Sequence, residues 1–356
     1  MDRLPRTAGE IDAAWLGRAL SGRHPGVRVA RVEIVARHEA TNGHARLRVG
    51  YDEAAGAPEA VFCKLLPSDP ARRPAIAKTG MGRREALFYQ RLAPTLAMRV
   101  PEVYFARCDE RDGSFLLLLE DLVATGCRVP DGRTGVAPDA AARALEDLAG
   151  LHRRFEDPAR RRAEAEWVPA PLHDPSYGAT FLRHGLDRHR ERLSHAYAEI
   201  AALYVARADA LHALWQEGPT SVIHGDTHIG NLFDDGGRIG FLDWGIVSVD
   251  AVLRDASYFL CMALSVEDRR RCERDLLRHY LGALRAGGGT AIGFDAAWRA
   301  HRVHAAYTVV ASCQVAADPD AGNEARRAFA AAFLARAEAA VADLESGAAL
   351  REAGIG

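Results

Sequence analysis

The sequence predicts an α+β protein of two lobes, a small one built on an antiparallel β-sheet followed by a larger, mainly helical one. Three observations carry this expectation. Up to about residue 122 the chain is dominated by short runs that are alternating or wholly apolar, as strands are. Residues 123–138 are irregular and rich in Gly and Pro, which suits a linker. From about residue 139 the chain turns alanine-rich, with apolar residues at helical spacing. At 356 residues it is long enough for two cores, and the expected division is 1–122 and 123–356.

Taken in order, residues 10–22 read as a short amphipathic helix with Ile11, Trp15, Leu16 and Leu20 on one side. Residues 27–35 alternate as a half-buried strand; a turn-rich loop with Thr41, Asn42 and Gly43 follows, then a second strand near 45–51. Val61–Leu66 is apolar except for Lys64, and a lysine in a buried strand is expensive unless paired. Only two lysines, Lys64 and Lys78, stand among 46 basic residues, so Lys64 occupies a place where arginine was not used. A compact ammonium can act as a point charge between phosphates, a task to which a planar guanidinium is less suited. Residues 83–92 read as a helix that puts Glu85 on the same face as Phe88, Tyr89 and Leu92. An acid on an apolar face calls for a cation, and Lys64 is the natural one, with Glu102 a competitor for it. Val100–Phe105 and Ser114–Leu119 read as two more strands, the second apolar throughout and therefore central.

In the helical part, Leu145, Leu148, Leu151, His152 and Phe155 make one stripe, with His152 expected in the core. Further helices are expected over 176–217, 267–286, 295–316 and 323–346. Net charge is −2, which gives no electrostatic case for nucleic acid or an anionic membrane as partner. No apolar run reaches the length of a membrane span, and Met1–Arg6 lacks a signal-peptide core. The six cysteines are scattered without a Cys-x-x-Cys, so a reducing, cytoplasmic setting is expected.

The densest chemistry lies in residues 222–245. His224, Asp226, His228 and Asn231 crowd one short loop. A hairpin with its turn at Asp234–Gly237 follows and delivers Asp243. The hairpin should gather Asp226, Asn231 and Asp243. Carboxylates brought together in this way repel unless a cation sits between them. Mg2+ prefers oxygen donors, and Asn231 with Asp243 suits it, leaving Asp226 to take a proton from a hydroxyl. The five-residue step from Asp226 to Asn231 is that of kinase catalytic loops, and Asp243-Trp244-Gly245 stands where those enzymes carry a metal-binding Asp-Phe-Gly. Two other readings stay open. His224, Asp226 and His228 alternate, so a strand would place all three on one face as ligands of a hydrolytic metal. A nucleotide-binding regulator without catalysis would keep the same fold.

His224-Gly225-Asp226-Thr227-His228-Ile229-Gly230-Asn231, followed by Gly240-Phe241-Leu242-Asp243-Trp244, resembles the signature of the aminoglycoside phosphotransferase/choline kinase-like family. The Thr-His-Ile-Gly version resembles its ecdysteroid kinase-like branch. The resemblance implies a two-lobed protein kinase-like fold with a hinge near 120–122, where backbone groups of Glu120 and Leu122 would meet the nucleotide base. It implies a kinase using ATP or GTP with Mg2+ and a small-molecule hydroxyl as acceptor. Asp226 would be the catalytic base, Asn231 and Asp243 the metal ligands, and Lys64, braced by Glu85, the phosphate grip. Thr41, Asn42 and Gly43 would serve as a phosphate flap, although one glycine replaces the usual several. Asp255 would brace the catalytic loop. No long activation segment follows Asp243, which favours a small acceptor over a protein. From Arg254 onward acids and arginines are equal in number, 13 each, so no acidic surface for a polycation is expected. Trp298, His301, His304, Tyr307 and Thr308 fall at helical spacing and would either pack or line an acceptor pocket.

Overall fold

The computed structural model describes residues 3–171 and 174–356. The chain divides into two compact units. The first runs to Arg128 and takes in Leu242–Val247; the second comprises Val129–Phe241 and Ser248–Gly356.

The first unit is a five-stranded antiparallel sheet in the order β1-β2-β3-β5-β4. Its strands are β1 (Arg28–Glu39), β2 (Gly43–Glu53), β3 (Ala60–Leu65), β4 (Val103–Cys108) and β5 (Phe115–Glu120). Alternation sorts the side chains by face. Ala45, Leu47 and Val49 of β2, Val61, Cys63 and Leu65 of β3, and Leu116 and Leu118 of β5 form one core with Trp15, Leu16 and Leu20 of helix α1 (Ala13–Leu20). The Asp12 carboxylate caps α1 by accepting from the Trp15 N–H at 2.7 Å. A fully buried leucine such as Leu16 stabilises this layer by about 2 kcal/mol over an exposed one. The opposite face carries His44 and Arg46 of β2 and Phe62 and Lys64 of β3. The first hairpin differs from its expected form. β1 and β2 stay paired to Glu39↔Gly43, so residues 36–39 and 43–44 are strand and only 40–42 are turn. Polar residues such as His38 and Glu39 fit there because β1 is the edge strand and both residues are exposed. Helices α2 (Arg73–Lys78) and α3 (Met81–Leu87) complete the unit, and α3 continues as a π-helical turn over Phe88–Leu92.

The second unit holds α4 (Pro138–Phe155), α5 (Pro158–Glu164), α6 (Pro175–His189) and α7 (His195–Trp215) ahead of the motif. After it come α8 (Val252–Ala263), α9 (Val266–Ala286), α10 (Phe294–Ala305), α11 (Tyr307–Ala311), α12 (Cys313–Ala317), α13 (Glu324–Asp343) and α14 (Ser346–Glu352). The expected single helix over 295–316 is therefore three. Thr308 and Ser312 return their hydroxyls to backbone carbonyls of Ala305 and Thr308 at 2.7 Å, local competition that accompanies the breaks. Two short antiparallel pairs frame the motif: β6 (Thr220–Ile223) with β9 (Ser248–Ala251), and β7 (Leu232–Asp235) with β8 (Arg238–Phe241). The β7–β8 turn uses Gly236 and Gly237 at φ +59° and +93°, the mirror-image turn that matches strand twist. Tyr197, Tyr204 and Trp215 of α7, Tyr258 and Met262 of α8, and Phe333 and Ala337 of α13 share the main core.

Candidate active site

In the first unit, Lys64 is buried at the end of β3. Its ammonium lies 2.7 Å from Glu85 Oε2 and 2.9 Å from Asp243 Oδ1. Burial opposes the charge on Lys64, but the carboxylates of Asp243 and Glu85 outweigh it and hold the group protonated above the ordinary lysine range. Burial pushes the Glu85 carboxyl up to about 7 against the pull of Lys64. Glu102 does not compete; it pairs with Arg23 at the surface. Among the described residues, Asp243 is one of three non-glycine residues with positive φ, at φ 60° and ψ 67°. That conformation costs about 1–2 kcal/mol and is tolerated where neighbours fix it. The fixing contacts are visible. Arg84 Nε donates to the Gly245 carbonyl at 2.7 Å, and Trp244 stacks on Phe88 with ring centroids 3.8 Å apart.

The remaining first-unit candidates fall into two places. Thr41 and Asn42 lie in the β1–β2 turn and Gly43 opens β2; the Asn42 side chain is buried and its Oδ1 has no hydrogen-bond partner. At the end of β5, the Glu120 carboxylate is taken by Arg99 at 2.7 and 2.9 Å, and its N–H donates to the Glu102 carbonyl. The Leu122 carbonyl accepts from Cys127 N–H at 2.8 Å, so only its N–H remains to meet a base edge.

In the second unit, Asn231 Nδ2 donates to the backbone carbonyl of Asp226 at 3.0 Å and to its Oδ2 at 2.8 Å. The amide is thereby turned so that its Oδ1 faces away from Asp226. Asp226 N–H donates to His224 Nδ1 at 3.2 Å, and Gly230 N–H donates to His228 Nδ1 at 3.0 Å. With Nδ1 accepting, neutral His228 carries its proton on Nε2, which sits 3.5 Å from Asp226 Oδ2. Asp255 holds the loop from below. Its two oxygens accept the N–H groups of His224 and Gly225 at 2.8 Å each, and His152 Nε2 approaches at 3.3 Å. Gly225, at φ +86°, lets the chain turn both amides toward one carboxylate. Burial would raise the Asp255 pKa; His152 and these amides outweigh it and keep the group below the ordinary aspartate range.

The strand required for a His224/Asp226/His228 metal site is absent: β6 ends at Ile223 and the three side chains serve the loop. Among the described residues no group of three or more His, Cys, Asp or Glu side chains is arranged to hold a metal ion. His301, His304 and Thr308 are buried packing residues. Tyr307 is different. It lies 5.5 Å ring to ring from Tyr258 and lies under the Arg254 guanidinium at 4.3 Å.

Sequence reasoning missed the ring wall beside Asp226. The Tyr258 phenol is pushed well above its usual range by burial and by the Asp226 carboxylate. Phe333 meets His228 edge-on at 5.1 Å, and Phe329 stacks on Phe333 at 5.8 Å. Phe329 also presses on the loop, since a Cβ at Gly230 would come within 2.9 Å of its ring. The i, i+3 step from Asp255 to Tyr258 was the available signal for Tyr258. Phe329 and Phe333 lie about a hundred residues downstream on a helix with no motif of its own.

The sequence profile of the Phosphotransferase enzyme family matches residues 38–292, and the chain belongs to that family. No curated protein matches the sequence. Among solved structures, a choline kinase from Streptococcus pneumoniae is 12% identical, with a TM-score of 0.52 over 92% of this chain and 98% of its own. An aminoglycoside 2''-phosphotransferase in complex with GDP and kanamycin is 14% identical, with a TM-score of 0.52 over 92% of this chain and 98% of its own. A choline kinase from Cryptosporidium parvum is 10% identical, with a TM-score of 0.50 over 91% of each chain. At such identities the likeness carries the fold, which is the two-lobed protein kinase-like one. No helix among the described residues is long and apolar enough to cross a membrane.

Proposed function

We propose that the protein transfers the terminal phosphoryl group of Mg2+-bound ATP or GTP to a hydroxyl of a small molecule. The observation that carries this reading is the Lys64 ammonium, buried and held between Glu85 and Asp243. A charged group kept dry in this way is suited to grip phosphate oxygens. Asp226, steadied by Asn231, would orient the acceptor hydroxyl and take its proton. The hydroxyl oxygen then bonds to the terminal phosphorus as the bond to the bridging oxygen breaks, leaving the nucleoside diphosphate. The Asn231 amide oxygen and the Asp243 carboxylate offer the hard oxygen donors that Mg2+ prefers, and the fixed Asn231 amide suits that use. When bound, Mg2+ would neutralise charge on the phosphates. Glu120 and Leu122 would meet the base through backbone groups, and Thr41, Asn42 and Gly43 would close over the phosphates.

The acceptor favoured by the surroundings of Asp226 is an uncharged, hydroxylated molecule with a flat or apolar body. The half-buried rings of His228 and Phe329 stand there, backed by the buried rings of Tyr258 and Phe333, and the nearby Arg254 is paired with Asp250. Three acids on the same helices are engaged elsewhere: Asp255 with loop amides, Glu338 with the Ser194 N–H and Asp343 with Arg270. A polycation would find few further carboxylates in such a wall.

The test is thermal-shift and calorimetric titration with Mg·ATP and Mg·GTP, followed by coupled detection of nucleoside diphosphate against neutral and cationic alcohols. Binding of one nucleotide, with turnover on a neutral alcohol, is the expected result. A protein that binds neither nucleotide at millimolar concentration does not have this function.

A further inference from the structure

The sheet face that carries Lys64 also carries a row of side chains toward the sheet edge. His38 of β1 is paired with His44 of β2, and His44 with Lys64 of β3. Directly opposed residues put their side chains on the same face, about 5 Å apart. The row thus runs from the edge of the sheet to the buried ammonium. The two imidazoles stack with centroids 6.1 Å apart, and His44 lies 5.5 Å from the Phe62 ring, which fixes its orientation. One turn earlier, Asn42 is buried with an amide oxygen that has no partner. A buried amide oxygen without a partner costs about 1–3 kcal/mol unless water or a ligand satisfies it.

Lys64 alone is a thin grip for a polyphosphate, because its single charge is already shared by two carboxylates. Resting on the nucleotide reading above, we propose that His44 is a second phosphate-binding residue, its ring N–H donating to the terminal phosphates of the bound nucleotide beside Lys64. In the free protein, burial and the neighbouring Lys64 push the imidazole down to about 4. The Asn42 amide sits in the turn leading to the same end of the row.

The experiment is calorimetry of the intact protein with Mg2+ and AMP, ADP and ATP, or the guanine series if GTP is the nucleotide bound. The variants are His44→Phe, which keeps the stack on Phe62 and removes the nitrogens, and His44→Gln, which restores a donor. The assignment predicts about a tenfold loss of triphosphate affinity in His44→Phe. Monophosphate affinity should be unchanged, and His44→Gln should recover part of the loss. Unchanged triphosphate binding in His44→Phe, or equal loss for mono- and triphosphate, overturns the assignment while leaving the nucleotide reading intact. A wild-type protein that binds no nucleotide overturns both.

Discussion

Lys64 and Glu85 meet at 2.7 Å, each almost wholly removed from water. Two charges from β3 and α3 are thereby fixed as one unit, with Asp243 as the third member. Such a unit tolerates little change. Lys64→Arg keeps the charge but brings a planar fork into space shaped for an ammonium. Nucleotide affinity should fall at least about tenfold. Lys64→Met should abolish binding and also destabilise the fold by about 3–5 kcal/mol, because two carboxylates are left without their cation. Titration calorimetry and urea unfolding check the two effects separately.

Asp226 occupies a different position: it is anchored by neutral groups, chiefly Asn231. Asp226→Asn preserves size and should leave nucleotide affinity within about twofold, while turnover falls roughly 10²–10⁴-fold. Single-turnover phosphoryl transfer is the measurement. A variant that loses affinity and keeps its rate would assign Asp226 to nucleotide binding instead.

The contrast between these residues explains what could be read in advance. The pairing of Lys64 with Glu85 was legible because both violate the apolar pattern of their own elements, and buried charges need partners. The hairpin after Asn231 was legible from its turn glycines. The long β1–β2 ribbon was not, since His38 and Glu39 look like loop residues until the edge of the sheet is known. The breaks in the helices after Phe294 were also hidden, because Thr308 and Ser312 act through local carbonyl contacts that periodicity does not register. The rings of Phe329 and Phe333 reach His228 only through tertiary packing, as shown by the room that Gly230 leaves for them.

Asp255 is the loop's support, and removing its charge should show in stability before it shows in nucleotide affinity. Asp255→Asn keeps one acceptor oxygen and replaces the other with a donor that faces an N–H. A loss of about 2–4 kcal/mol is expected, with turnover reduced and nucleotide affinity nearly unchanged. The native pKa is depressed relative to the unfolded chain. The carboxylate therefore contributes fully above the unfolded value, and that contribution is lost as pH falls below about 4 through the folded value. The unfolding free energy of the wild type in urea should therefore fall as pH drops below about 4, and Asp255→Asn, already less stable at neutral pH, should lose part of that slope.

His304 supplies a linkage of the same sign at milder pH. It is buried in α10 with Nδ1 unpartnered, faced by Arg254 from α8 and by His301 on its own helix. Burial, followed by the charge of Arg254, pushes its pKa down to about 3, so the folded protein resists protonating it. The unfolded chain takes that proton near pH 6.5, so it binds more protons than the folded state between about 6.5 and 3. Stability must then fall with pH across this window, by about 1.4 kcal/mol per unit for one full proton. The wild type should lose stability steadily between pH 6.5 and 4.5 in urea titrations. His304→Leu, close in volume and unable to ionise, should remove most of that slope. An unchanged slope in the variant would place the acid sensitivity on other groups.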